Sequence, residues 1–504
     1  MAQRFNRPTE LHNGNYMRRI KKRQLQLGEL GIEQIEFDPR SRDDVPQVLR
    51  GLQHLYCTPQ LRAEVFDILG SVVPEGISAD VGRPGMELWK ILVLGTLRLS
   101  LNWDYDRLLE MVSQHRTIRQ MLGHSWTDEE LVYSLQTLKD NVSLLTPEVL
   151  DRINQVVVRA GHQVLGNDED LRGRCDSFVV ETDVHYPTDI NLLWDAMRKI
   201  ITLLAAMYCF WGLTDWRQSA YNLRQLKRAM RKAQSTKRST SKDPERKARQ
   251  AQQVVEAHRA YLELAQRFLS KAQDSVVRLM HEQGVLAVEL AEVQRFMEHA
   301  TRQIDQIRRR VIEGERIPHE EKVFSLFEEH TEWVSKGKAG VPVELGLRVC
   351  VLEDQYGFIL HHQVMEQQTD DQVAVAMVAE AQARFLDLRQ CSFDKGFHTP
   401  SNQRELSEML ELPVLPRKGN LSQAAREVEG ADEFRAARRA HSAVESAINA
   451  LEVHGLDRCP DHGIDGFKRY VSLAVVGRNI QILGTIVRKQ EKARERPPPD
   501  RLAA

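Results

Sequence analysis

The β-prone residues of this chain fall into two groups that lie far apart. The first is Phe178-Val179-Val180, inside the stretch CDSFVVETDVHYPTDINLLW at 175–194. The next begins only at 343, where VELGLRVCVLED and YGFILHHQVME read as two strands joined by Asp354-Gln355. Residues 190–335 between them carry helical spacing and no strand pattern. A strand separated from its partners by such a block requires the block to leave the sheet and return to it. The expected fold is therefore α/β, with a mixed-sheet core built from 172–189 and 336–487. A helical insertion covers 190–335, and an all-helical N-terminal region covers 1–165.

The segments after 364 continue the alternation. A helix is expected from Asp370 to about Leu386, then a short strand, RQCSFDKGFH, that ends in Asp394 with a turn at Gly396. SNQRELSEMLE reads as a helix, LPVLP (412–416) as a brief strand, 430–453 as a helix and 467–487 as an apolar helix. The tail 488–504 is charged and Pro-rich, the composition of a disordered segment. Upstream, 46–165 reads as short helices. Gly82-Arg83-Pro84-Gly85 turns into the amphipathic MELWKILVLGTLRLSLN, Asp104 or Asn102 caps YDRLLEMVSQH, and a further helix starts near Thr127. Arg107, His115, Arg116 and Arg119 on these helices suit a helix-turn-helix-like DNA reader. A bundle used for packing or dimerisation fits the same pattern.

With 70 Lys and Arg against 71 Asp and Glu, the net charge is −1, so a polyanion partner would need a local basic surface. One opens the insertion: Lys227, Arg228, Arg231 and Lys232 lie in a charged helical hairpin whose loop is 235–244. It reads either as a hairpin packed on itself or as an arm that grips phosphates. Another cluster, Arg18 to Arg23, lies in the polar leader. The 6 cysteines lack CxxC spacing and read as reduced, as in a cytoplasmic protein. The N-terminus has no apolar signal region and, with no run of about 18 apolar residues, no membrane span is expected.

Acids gather where the first strand begins and ends: Asp176, Glu181, Asp183 and Asp189. Buried acids need a positive partner, and a divalent cation is one. Asp394 at the end of a later strand and Glu445 on a helix stand in comparable settings. Strand end, strand end and helix face suit phosphoryl transfer, in which two Mg²⁺ ions about 4 Å apart clamp the attacking and leaving oxygens. Each acid also has a plainer reading. Asp176 can cap a strand start, Asp394 can stabilise the turn at Gly396, and Glu433 and Glu452, near Glu445, can form surface ion pairs. Asp189 reads as a helix cap, and Asp183, seven residues from Asp176, points to the other face. His398 is either a packing residue or a substrate contact.

Four segments resemble bacterial insertion-sequence DDE transposases, most closely the ISNCY branch. They are GRPGMELWKILVLGTLRLSLNWDYDRLLEM, DSFVVETDVHYPTDINLLWDAMRK, FDKGFHTP and HSAVESAINALEVHGLDRCPDHGIDGFKRYVSLAVVGRNI. FSLFEEHTEWVSKGKAGVPVELGLRV fits as well, so the resemblance covers most of 80–485. It implies an RNase H-like catalytic core whose triad falls on Asp176, Asp394 and Glu445 and holds two Mg²⁺ (or Mn²⁺). It implies cleavage at terminal inverted repeats, strand transfer into target DNA, and at least a homodimer on double-stranded DNA. Related transposases carry an arginine four residues before that glutamate and a lysine seven after it. Here those positions are His441 and Glu452, and Arg438 or Arg439 is the expected substitute for the arginine. Lys336 and Lys338, just before the second strand, are expected phosphate contacts. The departures at His441 and Glu452 leave a second expectation, a non-catalytic DNA-binding protein derived from a decayed element.

Overall fold

The computed structural model describes residues 16–17, 19–21, 25, 27–38, 40–73, 83–125, 133–166, 169–236, 240–281, 287–335 and 343–495. The chain divides into two compact units, one of Met1–Asp183 with Val334–Ala504, the other of Val184–Trp333. A short parallel pair, β1 (Tyr16–Met17) and β2 (Arg83–Pro84), belongs to the first, as do helices α1 (Val45–Cys57), α2 (Pro59–Gly70), α3 (Leu88–Ser100), α4 (Tyr105–Gln114), α5 (Arg116–Met121), α6 (Leu135–Val142) and α7 (Pro147–Leu165). Strand β3 (Leu171–Thr182) follows. The second unit holds α8 (Asp189–Phe210), α9 (Ser219–Ser235), α10 (Pro244–Met280) and α11 (Ala287–Ile307). The chain returns through β4 (Glu332–Ser335), β5 (Val343–Glu353), β6 (Ile359–Met365), α12 (Asp370–Arg384), β7 (Leu388–Phe393), α13 (Pro400–Met409), β8 (Leu412–Val414), α14 (Gln423–Gly430), α15 (Asp432–Ala440), α16 (Ala443–Leu451), β9 (Arg458–Cys459) and α17 (Gly463–Glu495).

Strands β3 to β9 form a mixed seven-stranded sheet with the path β4-β5-β3-β7-β8, β6 pairing with β5 and β9 with β3. The expected α/β class is therefore present. Strand β3 runs antiparallel to β5 and parallel to β7 and β9. The β5–β6 hairpin turns around Asp354, which is fully buried. Its carboxylate accepts from the Tyr356 and Phe358 amides at 2.8 and 2.9 Å and meets His162 Nε2 at 2.7 Å, so both buried oxygens have partners.

The helices upstream of the sheet share its apolar core, which runs from Leu49 and Trp89 to Val349 on β5 and Val475 on α17. They are not a separately cored layer, and the reason lies in α3. The sequence suggests one apolar stripe there, yet every residue of α3 except Lys90 is buried. A helix that is apolar on all sides must be covered on all sides. Helix α17 supplies much of that cover, packing against α1, α3 and α7. Glycine permits the closest approach: a Cβ at Gly51 would stand 2.2 Å from the Ile480 carbonyl oxygen, and one at Gly484 would stand 1.9 Å from that of Gln47. A buried amide relay locks α7, α17 and β6 together. Asn479 Nδ2 donates to Asn154 Oδ1 at 2.7 Å and to the Ile359 carbonyl at 2.9 Å, while the Ile359 amide donates to Asn479 Oδ1 at 3.0 Å.

Several expectations change. Helix α17 continues to Glu495, so 488–495 is helical, and 496–504 lies outside the described residues. Helix α17 is also long and apolar enough to cross a membrane, contrary to the expectation from its sequence, and most of that segment is buried inside the protein. The helix expected over 430–453 breaks at His441-Ser442 into α15 and α16. The cap of α4 is Asp104, accepting from the Arg107 amide at 2.7 Å, whereas the start expected at Thr127 lies outside the described residues. Of the four residues expected to read DNA, Arg116 is exposed and the other three are engaged locally. Arg107 pairs with Glu110 at 2.8 Å, His115 caps α5 by accepting from the Ile118 amide, and Arg119 donates to the Ser113 carbonyl at 3.0 Å.

In the helical unit, Leu226, Met230 and Ala233 of α9 face an apolar core shared with Leu193 of α8, Tyr261 of α10 and Phe296 of α11. Their spacing turns Lys227, Arg228, Arg231 and Lys232 outward, and all four are exposed. Trp216 is buried, its Nε1 donating to Ser275 Oγ at 2.9 Å, which makes it a core residue.

Candidate active site

Strand pairing brings the two aspartates together. In the parallel ladder Arg174 faces Ser392 and Cys175 faces Phe393, so one step further along both strands stand Asp176 and Asp394. Strand β7 ends at Phe393, and Asp394 opens a short 3₁₀ turn over Lys395–Phe397. Glu445 comes from the first turn of α16, which packs on β3. Asp176 is half-buried, whereas Asp394 and Glu445 are exposed.

The carboxyl of Asp176 is pushed up to about 6. Burial is the main cause, and Asp394, Asp370 and Glu445 each add repulsion against a proton leaving. The hydrogen bond from the Ser177 amide, at 2.8 Å, pulls the other way. Asp176 therefore feels both partners expected from the sequence and a fourth acid that sequence reasoning missed. Asp370 sits in the first turn of α12, where Ser177 Oγ donates to its Oδ1 at 2.6 Å. Its context, Thr369-Asp370-Asp371-Gln372, forms a capping box and reads as helix-start chemistry. Nothing in the order of residues points it at β3. The turn after Asp394 lies close against this acid: a Cβ at Gly396 would stand 2.9 Å from Asp370 Oδ2.

His441 also belongs here. Its Nδ1 lies 3.1 Å from Ser392 Oγ, and its pKa is lowered, chiefly by burial, with Asp394 and Glu445 opposing the shift. A neutral imidazole thus occupies the position where the resemblance implies an arginine. Arg438 stands 3.6 Å from Glu429, and Arg439 is exposed. Lys336 and Lys338 lie outside the described residues. The competing acids of the first strand are engaged elsewhere. Glu181 and Asp183 meet Arg458 at 2.9 and 3.7 Å. Asp189 is held by Arg310 at 2.6 and 2.9 Å, and the cap of α8 is Thr188, which accepts from the Asn191 amide.

The donor set is all carboxylate, the chemistry of a hard divalent cation, and Asp394, Asp370 and Glu445 each add a smaller repulsive contribution to the burial that raises the Asp176 pKa. Among the described residues no three His, Cys, Asp or Glu groups form a ready cage. Mg²⁺ does not require one, because it retains waters and takes substrate oxygens into its shell. No protein family, curated protein or solved structure matches this chain.

Proposed function

We propose that the chain is a DNA transposase of an insertion sequence, which cleaves and joins phosphodiesters at element ends on an RNase H-like core. The observation that carries this reading is the β3–β7 register, which sets Asp176 and Asp394 side by side, with Glu445 within electrostatic reach. Asp176, Asp394 and Glu445 are the residues that hold two Mg²⁺ (or Mn²⁺). When bound, the metal supplies neutralisation of the scissile phosphate and acidifies the attacking hydroxyl. Ser177 orients the pair of acids nearest the sheet, its amide on Asp176 and its hydroxyl on Asp370. His441, uncharged near neutral pH, borders Asp394 without competing for the phosphate as a cation would.

The exposed cations of α9 bind the phosphates of terminal inverted repeats and target DNA, a salt-sensitive term that carries no sequence information. Joining two ends requires at least a homodimer on double-stranded DNA, at the cytoplasmic nucleoid. The test is nicking of end-containing DNA with Mg²⁺ by the unaltered chain and by Asp176→Asn and Asp394→Asn. Unchanged cleavage in either variant sinks the assignment. Binding without any cleavage by the unaltered chain selects the second reading, a non-catalytic DNA-binding protein from a decayed element. That reading rests on the departures at His441 and Glu452 from the pattern of related transposases.

A further inference from the structure

The helical unit carries an open pocket of about 920 Å³ that the cleavage reading leaves unused. It is bordered by the residues that lead into α8, by α11 and by the segment after it. Gln303 of α11 lines it, is fully buried, and has no hydrogen-bond partner for either its amide oxygen or its amide nitrogen. An unpaired buried amide is costly. Gln306, on the same helix, spends its own amide on the Glu321 carbonyl at 2.7 Å. Gln303, a residue of the pocket lining, therefore carries an unpaired planar donor beside an unpaired acceptor.

The rest of the lining is of two kinds. Trp333 packs against Tyr186 at 5.8 Å and against Phe324 at 5.6 Å between ring centroids, and Tyr186 is 62% exposed. The acids of the lining are already engaged, Asp189 by Arg310 and Glu315 by Arg309. Arg316 and Lys322 are exposed at the rim and meet no acid among the described residues. An aromatic wall stacks a heterocycle, a donor–acceptor edge pairs with its rim, and free cations take a phosphate.

We infer that this pocket binds a nucleobase carrying a phosphate, with Gln303 reading the edge of the base and Tyr186, Phe324 and Trp333 packing its ring. The same chemistry comes from two sources, a free mononucleotide or a base exposed from a DNA strand. The site needs neither the carboxylates nor a metal, so it stands apart from the cleavage reading.

The full chain, without metal, is titrated with deoxyadenosine monophosphate and with an oligo(dA) of about ten nucleotides, followed by calorimetry. Adenine is the probe because its amino group beside a ring nitrogen matches a glutamine amide. The expected result is saturable binding of at least one probe, weakened about tenfold or more in Gln303→Leu and in Trp333→Ala. Binding of the mononucleotide supports a free nucleotide as the ligand; binding of the oligonucleotide alone supports an exposed base in a strand. No binding of either, or binding untouched by Gln303→Leu, overturns the proposal. Gln303→Leu removes an unpaired buried amide at similar size, so its melting temperature should not fall, which separates lost recognition from lost folding. Loss of nicking in Asp176→Asn and loss of nucleotide binding in Gln303→Leu are independent outcomes, so either proposal can fail alone.

Discussion

In the sheet unit Asp176 is half-buried on β3, with its carboxyl pushed up to about 6, whereas in the helical unit Lys227, Arg228, Arg231 and Lys232 stand exposed on α9. The acids come from β3, β7, α12 and α16, segments distant in sequence, and ladder pairing fixes where β3 and β7 meet. The cations come from two turns of one helix and need only the α-helical repeat to share a face. Positions that must hold to a fraction of an ångström are built on hydrogen-bonded strands. Under the proposed function, the charges that meet the DNA backbone are carried on a surface helix, where position is tolerant.

The largest test of that division is Asp394→Asn. It should reduce Mg²⁺-dependent nicking by roughly 1,000-fold or more while leaving DNA affinity within a few-fold, read by gel-based cleavage and by binding isotherms. Nicking that survives would mean that the β3–β7 register does not carry the chemistry. Next is the support of the sheet: Asn479→Leu strips the buried relay among α7, α17 and β6. It should cost about 2–4 kcal/mol in denaturant unfolding, because Asn154 and the Ile359 backbone groups lose partners.

A smaller effect belongs to the arm. Arg228→Gln with Arg231→Gln should weaken DNA binding uniformly across sequences and flatten the slope of log K against log[salt] by about 2. A sequence-dependent loss would instead make α9 a base reader. A further test is a pH effect. His362, with Nε2 3.0 Å from Ser472 Oγ, has its pKa lowered to about 4 by burial and by nearby Arg384, with His361 beside it on β6. The unfolded chain takes up this proton first, near 6.5, so stability is full above that pH and falls as pH drops from about 6.5 toward 4. The loss should be on the order of 3 kcal/mol and should shrink in His362→Gln, measured by thermal melts across that window.

Much of this organisation is legible in the residues. The block over 190–335 shows as an interruption because helical and strand periods differ, and the second compact unit spans Val184–Trp333. Asp176 and Asp394 stand out because each sits where a β-prone run meets polar residues. The outward face of α9 follows from Leu226 and Met230. Three features were hidden. Asp370 looks like a helix-capping acid, since its role depends on Ser177 reaching it from a strand far away in the chain. The break at His441-Ser442 was obscured by continuous helix-forming composition, although it is what turns the His441 ring onto Ser392. The burial of α3 on all sides depends on α17, whose length and apolar run look like a membrane segment when read alone.

Periodicity and residue chemistry alone thus determine the main strands of the sheet, β3 and β5 to β8, though not the short β1, β2, β4 and β9, as well as which helix carries cations and which acids are candidates, because those signals are local. Which acids share a field, which amide is left without a partner in a pocket, and which helix is enclosed were decided only by tertiary structure. Strand register and helix crossing join residues hundreds of positions apart, and burial, the term that lifts the proton affinity of Asp176, exists only once they meet.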